Sequence, residues 1–128
     1  METVTHNPTE GVYATGGDWA HAIEVRGVER MLFVAGTMGL DSASIPGATL
    51  DEQLILVWDN IRTILASAGM TVDNIVRVTS YLRDTAYAET NGAARVKALG
   101  GRIVPTTAIG VQTLDDSWLI EIEVIAAA

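Results

Sequence analysis

The chain has 128 residues, long enough to bury one real core but not two. Sixteen acidic residues against eight basic ones give a net charge of −8, which repels phosphate backbones and argues against a nucleic-acid partner. A composition 48% apolar and 19% charged excludes a disordered chain, and the lack of cysteine excludes disulfides, thiolate zinc sites and a cysteine nucleophile.

The mean hydropathy of +0.27 is high for a small monomer and points to an oligomer that hides apolar surface against copies of itself. The opening Met1-Glu2-Thr3-Val4-Thr5-His6 has no basic or apolar leader, and no run approaches a membrane span, so one cytoplasmic domain over residues 1–128 is expected.

Residues 1–11 read as a polar lead-in. Val12 to Thr15 and Trp19 to Val25 follow as two β-like runs around Gly16-Gly17-Asp18, which predicts a hairpin. Met31-Leu32-Phe33-Val34-Ala35, closed by Gly36, is a continuous apolar run of the kind buried on both faces of a sheet. Residues 41–48 carry turn chemistry.

Thr49 and Glu52 have capping-box spacing, and Gly69 stands where a C-terminal glycine belongs, so a helix lies between them. Leu54, Val57, Trp58, Ile61, Ile64 and Leu65 give it an apolar stripe. Ile75 to Leu82 is β-branched and aromatic and predicts a strand. Asp84 or Thr85 can cap a second, alanine-rich helix running to about Leu99.

After Pro105, Thr106 to Val111 and Trp118 to Ile125 are expected to form a last strand pair joined through Gln112 to Ser117. The expected order is β-β-β-α-β-α-β-β, an α+β arrangement of one mixed sheet with its helices on a single face.

The final run carries the clearest chemical signal. Alternation puts Trp118, Ile120, Ile122 and Val124 on one face and Leu119, Glu121, Glu123 and Ile125 on the other. A sheltered carboxylate on that second face is either paired or used, whereas on an ordinary edge strand both glutamates are merely solvated. His6 and His21 show no metal-ligand spacing, and neither a phosphate loop nor a Gly-x-Ser-x-Gly elbow is present. No metal ion and no nucleotide held by a glycine-rich loop is therefore expected.

Five stretches together resemble the Rid family, also called the YjgF family: Leu32 to Thr37, Asp59-Asn60-Ile61 through Gly69, Asn74 through Asp84, Asn91, and Pro105 with Ile120 to Ala126. The resemblance implies a chorismate-mutase-like fold assembled as a homotrimer, with a small-molecule ligand in clefts between subunits. The best-studied branch hydrolyses enamines and imines of 2-amino acids to 2-keto acids and ammonia without a cofactor.

Carried over by position, the resemblance makes Glu121 the residue that activates water and places Trp19, Gly36, Asn91 and Ile109 among the substrate-binding positions. The arginine that grips the substrate carboxylate in that branch is absent, and Thr107 stands in its place. Threonine offers a hydroxyl and no charge, so it cannot neutralise a carboxylate, and Arg102 is a candidate to swing in.

Each of these residues also has a structural reading: Asn91 as a loop bridge, Thr107 as a strand former, Trp19 as interface core. Two functions remain open, a deaminase or related hydrolase of divergent specificity and a non-catalytic trimer that binds a metabolite or partner. A ribonuclease reading, a label also attached to the family, is opposed by the net charge and by the lack of a histidine acid or base at the site.

Overall fold

The computed structural model describes residues 1–128. Strands β1 (Glu2–His6) and β2 (Ala22–Arg26) pair antiparallel as a two-stranded sheet, with Glu2 opposite Arg26 and His6 opposite Ala22. The segment expected to be a polar lead-in is thus a strand, and the expected hairpin through Gly16-Gly17 is not formed. Residues 12–15 make no ladder, because the partner of β2 lies at the extreme N-terminus.

The main sheet is built around β7 (Ile120–Ala127). On one side β7 pairs antiparallel with β3 (Met31–Phe33) and then with β4 (Thr37–Met38). On the other it pairs antiparallel with β5 (Ile75–Leu82), which in turn carries β6 (Thr106–Gly110) parallel to it at the edge. The last two strands are therefore not a pair, since β5 lies between them. Residues on either side of a loop cannot report that a third strand has been inserted.

Strands β3 and β4 are one strand interrupted by a bulge. Phe33 stands opposite Ile125 and Thr37 opposite Ile122, so four steps on one strand match three on the other. Met31 and Phe33 point away from the core, with Phe33 71% exposed, so this run is not buried on both faces as expected.

Helix α1 (Leu50–Ser67) begins as predicted, with the Thr49 hydroxyl accepting from the Glu52 amide at 3.2 Å. The Glu52 carboxylate reaches one residue further back than the standard box and accepts from the Ala48 amide at 2.8 Å. Gly69, at φ +68°, takes the left-handed conformation that ends the helix. Helix α2 (Ala88–Ala98) starts later than expected, because Asp84 caps a preceding 3₁₀ turn over Thr85–Tyr87 by accepting from the Ala86 amide.

Both helices cover the same face of the main sheet. Val57, Trp58, Ile61 and Leu65 of α1 pack with Val78 and Leu82 of β5 and Ile120, Ile122 and Val124 of β7 into one buried cluster. The strand starts two residues later than expected, at Ile120, so Trp118 lies outside it and is only half-buried. Within β7 the expected alternation holds, with Ile120, Ile122 and Val124 buried and Glu121, Glu123 and Ile125 half-buried on the other face.

Two amide side chains on α1, the buried Gln53 and the half-buried Asn60, fasten the loops that flank the sheet. Gln53 donates to the carbonyls of Gly47 (2.9 Å) and Ser117 (2.8 Å) and accepts from the Leu119 amide (2.9 Å). Asn60 donates to the carbonyls of Met38 and Leu40. The entries to β7 and the exit of β4 are thereby held on the same helix.

Candidate functional site

Residues opposite one another in a ladder share a face, so register alone assembles the helix-free side of the sheet. Glu121 stands opposite both Met38 and Tyr81, Glu123 opposite Thr79, and Ile125 opposite Phe33 and Arg77. Across β5, Thr79 meets Thr107 and Tyr81 meets Ile109. Glu121, Thr107 and Ile109 thus lie on one face.

Gly36 joins them from the bulge, since a Cβ at that position would collide with the Glu121 carboxylate. Glu121 belongs to an interior strand rather than an edge, is half-buried, and makes no hydrogen bond to the protein. The two glutamates therefore differ in their partners.

Glu123 accepts the Tyr81 phenol at 3.1 Å. That hydrogen bond, with lesser help from desolvation and from the charges of Glu123 and Glu121, raises the Tyr81 hydroxyl above the usual 10.0. A raised value favours the protonated form, so the contact stabilises the fold below the unfolded tyrosine's pKa and is lost as pH climbs through the folded one. Absorbance titration is expected to show one tyrosine ionising later than the others in the parent. In Glu123→Gln that late step should return toward the ordinary range, and an unchanged titration would contradict the contact.

The environment of Thr107 differs from expectation. Arg102 does not approach it: its guanidinium donates to the carbonyls of Val72 (2.8 Å) and Ile75 (3.1 Å), which pins it at the other end of β5. The guanidinium beside Thr107 belongs instead to Arg77, whose Nη2 donates to the Thr107 hydroxyl at 2.9 Å. Sequence reasoning missed Arg77 because the contact exists only through the parallel β5–β6 register. The alternation of Arg77, Thr79 and Tyr81 was the one signal available.

Trp19 and Asn91 lie elsewhere. They line an open cleft of about 800 Å³ on the helix side of β6, together with Asp18, Arg95, Thr106 and Ala108. Thr106 and Ala108 alternate with Thr107 and Ile109, so this cleft and the Glu121 face flank the edge strand from opposite sides. Within one chain the six expected site residues form two groups rather than one.

The cleft is well supported. Arg95, buried on α2, donates to the Asp18 carbonyl at 2.6 Å and pairs with its carboxylate at 3.2 Å. The Ala20 amide bonds the Val104 carbonyl and fixes the Trp19 segment against the start of β6. His21 packs edge-on to Trp19 at 5.3 Å and donates Nε2–H to the Tyr13 carbonyl. Asn91 is 2% exposed, and its Oδ1 has no hydrogen-bond partner. No three His, Asp or Glu side chains converge closely enough to hold a metal ion, and no helix is long and apolar enough to cross a membrane.

A small α+β domain of this topology, with paired glutamates on the helix-free face of its central strand, defines a class. Residues 11–128 match the family model described as Endoribonuclease L-PSP, and the chain belongs to that family, the Rid or YjgF family. A RutC family protein of Aquifex aeolicus is 30% identical over 115 residues, covering 86% of this chain and 88% of its own. The mouse protein named 2-iminobutanoate/2-iminopropanoate deaminase is 28% identical over 113 residues, covering 86% and 81%. Among solved structures, the Rid family protein YyfB of Yersinia pestis, described as of unknown function, superposes with a TM-score of 0.84 at 28% identity over the whole of both chains.

Proposed function

We propose that this protein is a cofactor-free hydrolase of small imines or enamines, acting in a cleft completed by a second copy of the chain in a homotrimer. The observation that carries the reading is Glu121, a half-buried carboxylate with no protein partner, beside a glycine that leaves room for nothing but its tip. Glu121 takes a proton from water as the oxygen attacks the imine carbon. Glu121 passes that proton to the nitrogen to give a carbinolamine, the hydroxyl proton then moves to the nitrogen as the C–N bond breaks, and a ketone and ammonia leave.

Thr107 and Asn91 hydrogen-bond the substrate, while Trp19 and Ile109 form apolar walls. The name of the mouse relative supports the chemistry, and the net charge of −8 opposes the ribonuclease in the family model's description. Ammonia release from freshly generated 2-iminobutyrate tests the reading. A rate equal to buffer beside an active arginine-bearing relative would favour the second reading, a metabolite-binding trimer without catalysis, which the threonine at position 107 supports.

Two separate half-sites flanking an unpaired edge strand, with the exposed apolar Phe33, Met31 and Ile109 on the sheet's open face, are what a heterologous ring of copies would join. Sedimentation equilibrium is expected to give three times the chain mass of 13.6 kDa, and a monomer at micromolar concentration would overturn the assembly.

Gly36→Ala is expected to cut ammonia release by about 10²-fold, because an added Cβ displaces the Glu121 carboxylate. The thermal midpoint should barely move, since the colliding atoms are the end of a flexible side chain. Unchanged turnover in this variant would remove Glu121 from the reaction.

A further inference from the structure

We propose that Arg77 is the anion-binding residue of this site and that its ligands carry a carboxylate, the guanidinium missing from β6 being supplied from the neighbouring strand. The inference deepens the hydrolase reading and rests on it for the reaction, but not for the binding.

Six of the seven arginines are engaged by carboxylates or backbone carbonyls of the chain. Arg26 and Arg62 pair with Glu24 and Asp59, Arg83 with Asp116, and Arg95 with Asp18. Arg30 and Arg102 donate to backbone carbonyls. Arg77 alone among the arginines has neither a carboxylate nor a carbonyl partner, its one hydrogen bond being to the Thr107 hydroxyl. A guanidinium has five N–H donors, so four remain for a ligand.

Its setting favours a ligand over solvent. Arg77 is half-buried, and Ile125 lies opposite it on the same face, so an ion pair formed there is less screened than one at an open surface. Because Thr107 accepts from Arg77, the hydroxyl hydrogen is free to donate. Arg77 and Thr107 therefore offer adjacent donors, which suits the two oxygens of one carboxylate. One guanidinium on a face that also bears Glu121 and Glu123 suits a monoanion better than a phosphate dianion.

The reading also explains how threonine can occupy the position at which the family's active branch has arginine. The charge has moved one strand over, and the hydroxyl that replaced it orients the new donor. Neutral substrates are then not required.

Calorimetric titration of the intact protein with 2-oxobutanoate, and with uncharged 2-butanone as comparison, tests this. The parent is expected to bind 2-oxobutanoate more tightly than 2-butanone, with affinity falling as salt is raised. Arg77→Met should weaken 2-oxobutanoate about ten- to a hundredfold and leave 2-butanone unchanged. Combining Thr107→Arg with Arg77→Met should restore the lost affinity, a rescue that a merely structural arginine would not allow.

Equal 2-oxobutanoate affinity in parent and Arg77→Met, or no binding by the parent, overturns the proposal. If Arg77→Met does not fold, Arg77→Lys serves: it keeps the charge and loses the fork, and an affinity equal to the parent's would overturn the two-donor geometry. Arg77-dependent binding without ammonia release sustains this inference while removing the hydrolase reading. Ammonia release that is indifferent to Arg77→Met does the reverse.

Discussion

Glu121→Gln is expected to lower ammonia release from 2-iminobutyrate by about 10²- to 10⁴-fold, the usual worth of a positioned general base. The substitution keeps the size and shape of the side chain and removes only the charge and the proton-accepting oxygen. Because Glu121 bonds nothing in the protein, no partner is orphaned, and the melting temperature should stay close to the parent's. Glu123→Gln makes a contrasting control. Glu123 is already engaged by the Tyr81 phenol, so its loss should be felt in the tyrosine titration more than in turnover. Equal effects of the two substitutions on rate would mean that the face acts through its total charge and not through one carboxylate.

The largest stability effect is expected from Gln53→Leu. The side chain is 2% exposed and satisfies two carbonyls and one amide on three separate loop positions, Gly47, Ser117 and Leu119. Leucine fills similar volume but leaves all three backbone groups without a partner, at about 1 to 3 kcal/mol each where water cannot reach them. A loss of about 3 to 5 kcal/mol is expected by urea unfolding. Because Leu119 leads directly into β7, the damage should extend to the position of Glu121. A loss under about 1 kcal/mol would mean that water replaces the amide and that the loop is not anchored through α1.

Some of this was legible in the chain. Helix α1 could be read because Thr49, Glu52 and Gly69 punctuate an apolar stripe, three local signals that agree. The two faces of β7 could be read because side-chain alternation is independent of what the strand pairs with. Strand β1 could not, since Glu2 to His6 is almost wholly exposed and so carries no apolar alternation.

The pairing of β6 and β7 with β5 was equally hidden. Sequence proximity favours the hairpin, and only packing of the whole sheet decides otherwise. The same blindness covered the site: Thr107 was noted for what it lacks, while the arginine beside it lies thirty positions earlier in the chain. The resemblance gathered Trp19, Gly36, Asn91, Thr107, Ile109 and Glu121 into one cleft, whereas the single chain divides them between the two sides of β6.

That division makes subunit complementation the most direct test. Glu121→Gln spoils one half-site and Asn91→Ala the other, so each homogeneous protein should be nearly inactive. In mixed rings formed by co-refolding equal amounts, sites with both halves intact arise where an Asn91→Ala chain meets a Glu121→Gln chain in the right order. About a quarter of the parent's ammonia release is then expected from random assembly. Activity no higher than the average of the two variants, in mixed oligomers verified by mass, would contradict a site shared between copies.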